Sequence, residues 1–404
     1  MTRKLFIAAL LAAVCSSAQA ATVSLTATPA AASANLTWTV SNGSINAQEV
    51  YRDTDSNPAG RVRIATLGTG DRSYTATGLT NGVTYYFWIK ARQSSDSVWV
   101  NSNAASAVPM AGSGGNTYHW PLTGNLGTHD PTLINENGTW WEFQTGAGIY
   151  GKVSRNGGLQ WDPLPSVLPN GLSWWKTYVP GQVGTDVWAP DVKVYNGRTY
   201  MYYSVSTFGS KVSLIGLISA SSIATGDWRD DGLVIRTTAS NDYNAIDPDL
   251  TVDANGAPWL SFGSWNTGIK LTRLGSNMKP TGTLYSIASR GGGIEAPVII
   301  QRNGYYYLFV STGTCCQGVN STYQIRYGRS TSITGPYVDK SGVSMMSGGG
   351  TLFDGGNDRW KGPGGQDIAG TGVIVRHAYD ATDNGNAKLL ISNLNWDSDG
   401  WPRY

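Results

Sequence analysis

Charged side chains are scarce in this chain. Lys, Arg, Asp and Glu make up 14% of its 404 residues, where soluble domains usually carry about 25%. The formal net charge is +2 and basic residues nowhere gather in a block, which excludes nucleic acid as the main partner. Histidine and cysteine are rarer still, three of each. Cys15 stands near the N-terminus, and Cys315 and Cys316 are neighbours. Adjacent cysteines cannot staple distant parts of a fold, and they lack the spacing of a zinc site. They are either two buried thiols or a vicinal disulfide. After the first twenty residues no apolar run is long enough to span a bilayer. GxSxG, HExxH and a phosphate loop between strand and helix are also missing, which removes three large classes of chemistry.

Glycine (51), tyrosine (21) and tryptophan (16) are plentiful instead. Short aromatic runs joined by glycine turns predict an all-β protein. "MTRKLFIAALLAAVCSSAQA" has a basic start, an apolar middle and a small-residue end. It reads as a secretory signal peptide, residues 1–20, with cleavage expected after Ala20. The expected mature protein is therefore soluble and secreted, extracellular or periplasmic, with no membrane span. At this length roughly two domains are expected.

Residues 21–109 alternate apolar and polar positions at strand period in "ANLTWTVS", "AQEVYRD", "RVRIATL", "RSYTATGL" and "VTYYFWIKARQ". The run "GLTNGVTYYFWIKA" resembles the fibronectin type III module, with Tyr85 as its corner tyrosine and Trp38 in the sandwich core. "MAGSGGNT", within residues 110–117, has the composition of a linker.

The remaining unit, 118–404, repeats itself. "INENGTWW", "VYNGRTYMYY", "VDANGAPWL" and "QRNGYYYLF" each place an Asn-Gly turn before an aromatic strand, a strong hairpin signal. Ahead of each stands a proline with an acid beside it: Asp130-Pro131, Pro190-Asp191, Asp247-Pro248-Asp249 and Glu295-Ala296-Pro297. Proline to turn asparagine spans 6, 6, 7 and 6 residues. A fifth copy, "GGQDIAGTGVIVRHAY" with "NGNAKLLISNLNW", has lost the proline. Five sheet repeats predict a five-bladed β-propeller rather than a jelly roll, because a jelly roll has no reason to repeat the acid-proline register. With each leading strand innermost, the acids converge at the axis.

Clustered acids suit two chemistries: a carboxylate cage for calcium, or glycoside hydrolysis, in which one carboxyl stays protonated and another ionised. Abundant Trp and Tyr favour sugar. The motifs "HDP", "WAPDV", "YYSVSTFGS", "NAIDP", "IEAP", "GPY" and "HAYD", in this order, resemble glycoside hydrolase family 43 and in particular its secreted α-L-arabinanases. That resemblance implies an inverting enzyme acting on arabinan. Asp130 would be general base, Glu295 general acid, and Asp247 the acid that tunes and orients the donor. Trp188 and Phe208 would pack on the sugar, and Gly209, Asn244, Ala245, Ile246 and Ser264 would offer hydrogen bonds or close backbone approach. His377 would ligate calcium or a similar ion at the propeller centre, with no organic cofactor. His129 is expected to orient its neighbour's loop. His119, Asp191 and Asp249 are read as structural. Two departures stand out. "GPGGQDIAG" replaces a GHNS-like stretch and puts Gln366 or Asp367 near the ion. Ser264-Trp265-Asn266 replaces Ser-Phe-Trp. An exo-acting relative and a non-catalytic sugar-binding propeller are the rival readings. A monomer suffices.

Overall fold

The computed structural model describes residues 20–30, 33–80, 83–109 and 119–404. The expected linker and, Ala20 apart, the expected signal peptide lie outside the described residues. Among them helix is confined to one turn, Trp175–Tyr178, and two 3₁₀ turns; the protein is all-β. None of its helices could cross a membrane. The chain forms two compact units, Met1–Thr117 and Tyr118–Tyr404.

In the first unit Thr22–Ala30, Ser33–Ser41 and Ser73–Thr77 make one antiparallel sheet. Val62–Leu67, Ile45–Asp53, Tyr85–Gln93 and Trp99–Asn101 make a second, with Ala105–Ala107 also pairing to Tyr85–Gln93. The sequence reading lacked the first strand. Alternation along Ser33–Ser41 and Tyr85–Gln93 sends Leu36, Trp38, Phe87 and Ile89 into one core with Leu25 and Val50. The Trp38 indole donates to Gln48 Oε1 at 3.0 Å, and the Tyr85 hydroxyl accepts the Thr80 N–H at 3.1 Å.

Among the described residues the second unit holds five mainly antiparallel sheets of three to five strands that follow one another along the chain, with a two-stranded pair, Asn395–Trp396 and Pro402–Arg403, after them. Their leading strands are Thr132–Glu136, Asp186–Tyr195, Asp249–Val252, Ile294–Arg302 and Trp360–Ala369. The turns expected from sequence join the first and second strands. Asn137, Asn196 and Asn303 and the glycines after them all have positive φ, as a two-residue hairpin turn matched to strand twist requires. The leading strands touch in cyclic order, the fifth returning to the first. Five hydrophobic clusters follow the same cycle, each filled from two neighbouring sheets. Each sheet thus buries both faces, at about 1.5–3 kcal/mol per large apolar side chain.

Closure comes from residues 119–128. They run antiparallel to Asn386–Asn393 of the fifth sheet, through bridges His119–Ser392 and Gly127–Lys388. Within them Thr123–Gly124 pairs in parallel with Gln160–Leu164 of the first sheet. A buried ion pair locks the segment's end: Lys152 Nζ donates to the Gly127 carbonyl at 2.5 Å, and the Thr128 hydroxyl to Glu142 Oε1 at 2.5 Å.

Candidate active site

The site begins with a backbone anomaly repeated at the head of every sheet. Asp130 (φ 47°), Ala189 (40°), Asp247 (57°) and Ala296 (49°) are left-handed immediately before proline, and Gly365 (54°) takes the same conformation before Gln366. Residues before proline prefer extended backbone, and left-handed non-glycine residues cost about 1–2 kcal/mol each. Hydrogen bonds between sheets hold them there. Ala189 N–H donates to Thr145 Oγ1 (2.9 Å), Asp247 N–H to Ser204 Oγ (2.9 Å) and Ala296 N–H to Asp247 Oδ2 (3.1 Å). Gly365 N–H donates to Ser311 Oγ (3.0 Å), and Asp130 N–H to His377 Nδ1 (3.1 Å). Each bond reaches back to the preceding sheet, so the set makes a ring. A Cβ at Gly365 would stand 2.4 Å from Asp130 Oδ1; glycine there makes room for the acid.

A second ring lies two residues further along each strand. Thr132 Oγ1 accepts Val192 N–H (3.1 Å), Asp191 Oδ2 accepts Leu250 N–H (2.7 Å), Asp249 Oδ2 accepts Ile299 N–H (2.9 Å) and Asp367 Oδ2 accepts Leu133 N–H (3.0 Å). Val298 leaves the fourth link empty. Asp191 and Asp249 are thereby structural, and Asp367, weighed as a neighbour of the ion, belongs with them. Lys193 Nζ sits 2.6 Å from Asp191, 2.7 Å from Asp367 and 4.0 Å from Asp249. Burial, aided by the other acids, pushes Asp191 up to about 6 and Asp249 well above the usual carboxylate range. Lys193 resists burial because the three acids hold its proton.

Over the first ring opens a cavity of about 740 Å³. Asp130, Asp247 and Glu295 line it, as do Trp188, Phe208, Gly209, Asn244, Ile246 and Ser264. Ala245 does not. Between two cavity residues it turns the other way, fully buried with Leu250 and Phe262, and its N–H is taken by Thr237 Oγ1 at 3.1 Å. Trp265 lines the cavity too, 43% exposed.

The three acids differ in surroundings. Asp130 Oδ2 is 2.8 Å from His129 Nδ1 and accepts the Thr145 hydroxyl at 2.8 Å. Burial opposes its ionisation, but the charge and hydrogen bond of His129, with His377 and Thr145, outweigh it and hold the carboxyl well below its usual range. Glu295 accepts the Tyr323 hydroxyl. Burial, then the Asp130 charge, push it upward against hydrogen bonds from Tyr323 and Trp265. Burial and the charges of Glu295 and Asp130 push Asp247 well above its ordinary value. One acid is kept ionised and two are kept protonated to higher pH.

His377 is fully buried, on the second strand of the fifth sheet. Burial, then the charge of His129, whose ring is stacked 4.0 Å away, lower its pKa to about 3. Its Nε2 is buried without a hydrogen-bond partner, and its ligand atoms lie within 4.8 Å of those of His129 and Asp130. An orphaned nitrogen beside a carboxylate fits one corner of a hydrated cation, with water supplying most of the six to eight oxygens calcium takes. A neutral ring has one lone pair: ligation through Nε2 and acceptance of the Asp130 N–H at Nδ1 exclude each other. His129 touches Asp130 itself, more directly than expected. His119 is structural, 2.8 Å from Arg376 Nη2.

Tyr323, Thr145 and Lys193 were not anticipated. Thr145, Ser204 and Ser311 each stand eight residues after the turn asparagine, a spacing that would have found them. Tyr323 and Lys193 carry no such signal. Cys315 and Cys316 form a disulfide, and they line the cavity rather than the core.

An ionised carboxylate facing a protonated one, with sugar-sized space between β-sheets, is the division of labour that breaks a glycosidic bond; the class is a glycoside hydrolase. The model of glycosyl hydrolases family 43 matches residues 159–402. An extracellular endo-α-(1→5)-L-arabinanase of Bacillus subtilis is 57% identical over 70% of this chain and 90% of its own. An extracellular exo-α-(1→5)-L-arabinofuranosidase of Cellvibrio japonicus is 40% identical over 68% and 85%. Among solved structures, a family 43 endo-arabinanase of Bacillus licheniformis superimposes with a TM-score of 0.69 at 58% identity, covering 70% of this chain and all of that one. The chain belongs to glycoside hydrolase family 43.

Proposed function

We propose that this chain is a secreted, inverting endo-1,5-α-L-arabinanase, a five-bladed β-propeller preceded by a fibronectin type III-like module. The observation that carries the reading is the meeting of Asp130, Asp247 and Glu295 in one cavity of a chain 57% identical to an extracellular endo-arabinanase. The endo reading is preferred to the exo one because two endo-acting relatives stand at 57–58% identity, while exo-acting relatives stand at 40%. Five sheets in cyclic contact support the blade count. The pairing of a three-stranded with a five-stranded antiparallel sheet and the Tyr85–Thr80 corner support the module.

In the mechanism Asp130, ionised and fixed by His129 and Thr145, takes a proton from the attacking water. Glu295, protonated, gives its proton to the leaving oxygen, and the Tyr323 hydrogen bond fixes the orientation of its carboxyl group. Asp247 accepts the Ala296 N–H next to Glu295, so it positions the donor, and its nearness disfavours ionising both acids together, which is how it tunes the donor. Trp188 and Phe208 pack on arabinose; Asn244 and Ser264, themselves bonded at 3.1 Å, present polar groups. A calcium ion would be held by Asp130 and, in the tautomer whose Nδ1 no longer accepts the Asp130 N–H, by His377 Nε2, and would supply positive charge favouring the ionised base. Nothing in the reaction demands more than a monomer.

Linear α-1,5-arabinan, sampled from the first seconds with products separated by size, tests the reading. Intermediate oligosaccharides should appear before arabinose. A single short product from the outset would mean exo action, and arabinan bound but uncut would overturn the enzyme reading.

A further inference from the structure

The segment between the second and third strands of consecutive sheets does the same job three times. In the second sheet it carries Phe208, 81% exposed, and in the third Trp265. Both are apolar side chains set at the cavity rim. In the fourth sheet the same segment ends in Tyr323, whose hydroxyl is given to Glu295. It also carries the Cys315–Cys316 disulfide, which lines the same cavity. Cys316 is exposed with left-handed backbone (φ 69°), and its Sγ lies 3.7 Å from His129 Nε2. Its amide donates to the Tyr379 hydroxyl at 2.9 Å, and that hydroxyl lies 3.0 Å from His129 Nε2. The pair is thus anchored to the residues that hold Asp130, while it lines the cavity a sugar would fill.

A ring closed by two neighbouring cysteines has no free side-chain torsion and shows CH₂ groups and polarisable sulfur on its outer side. Such a surface offers a sugar's C–H face what an aromatic ring offers, and it pays no rotamer entropy on contact. Opening it returns two mobile thiols and frees the backbone at Cys316. We propose that the Cys315–Cys316 disulfide is a sugar-contacting wall of the arabinan groove, and that its reduction loosens substrate, making affinity dependent on redox state. This rests on the arabinanase reading and deepens it. The switching step is a two-electron reduction by a dithiol. The S–S bond breaks, Cys315 and Cys316 each take a proton, and the dithiol closes to its own disulfide.

The test measures kcat and KM on linear arabinan for full-length enzyme as oxidised, after dithiol treatment with thiol counting, and after re-oxidation. Cys315→Ala/Cys316→Ala serves as the control. Reduction should raise KM about fivefold to tenfold, as two side chains must now be ordered on binding, with kcat within about twofold. Re-oxidation should restore KM. The double variant should show the raised KM and no response to dithiol, with an unchanged thermal transition. An unchanged KM after full reduction overturns the inference while leaving the arabinanase reading intact, as does a fall in kcat alone. Failure of the oxidised enzyme to cut arabinan overturns both.

Discussion

Asp130 and Glu295 are driven in opposite directions by what touches them, and the pH dependence follows from the signs. Activity needs Asp130 ionised, so its rate limb lies where Asp130 loses its proton, well below the usual carboxylate range because His129, His377 and Thr145 favour the anion. Activity needs Glu295 protonated, so the alkaline limb lies where Glu295 loses its proton, raised by burial and the Asp130 charge. The profile of kcat/KM should therefore be a broad plateau. Glu295→Gln should lower kcat by about 10²–10⁴-fold and abolish the alkaline limb while the acid limb stays. Survival of the alkaline limb in that variant would assign the donor elsewhere. These acids were legible in sequence because each stands beside a proline at a repeated distance from a turn. Ala245 was misplaced because a motif gives neighbours but not which way each side chain turns. Tyr323 escaped because it reaches Glu295 from a loop outside the repeat.

At the level of elements, the second ring shows what the remaining acids of the repeats are for. A carboxylate at the strand head of one sheet accepts an amide from the next, so sheets are joined by side chains as well as by apolar packing. Lys193 is the counter-charge, and Lys193→Met should leave three buried acids uncompensated at a cost of about 3–5 kcal/mol. The sign with pH is set by Asp191. Its folded pKa, pushed up to about 6, lies above the ordinary aspartate value of about 4, so its contribution is full below about 4 and lost as pH rises through 6. Thermal melts should show the variant's deficit larger at pH 7 than at pH 4.5; an equal deficit at both would remove the charge argument. The repeats themselves were readable because turn chemistry is local. Asp367 was not, since its copy lacks the proline that marks the others.

For the whole molecule, the relatives match about 70% of the chain, and the two units each hold their own core. Residues 119–404 expressed alone should fold and hydrolyse soluble linear arabinan with kcat/KM within about twofold of the full chain, since domains with separate cores fold separately. A larger loss, measured on the same substrate, would assign the first unit a part in binding it. The closing segment has one more consequence. His119 meets Ser392 across 273 residues of sequence, and contacts so distant form late and slowly. Asp130 stands two residues beyond Thr128, which is tied to that closing strand, and its own amide is held by His377 from the fifth sheet. Asp130, the proposed general base, is therefore held by the contacts that close the ring. During refolding, regained activity counts completed rings, not formed sheets, and a chain stalled with four sheets assembled already owns its proton donor but has nowhere to set its base.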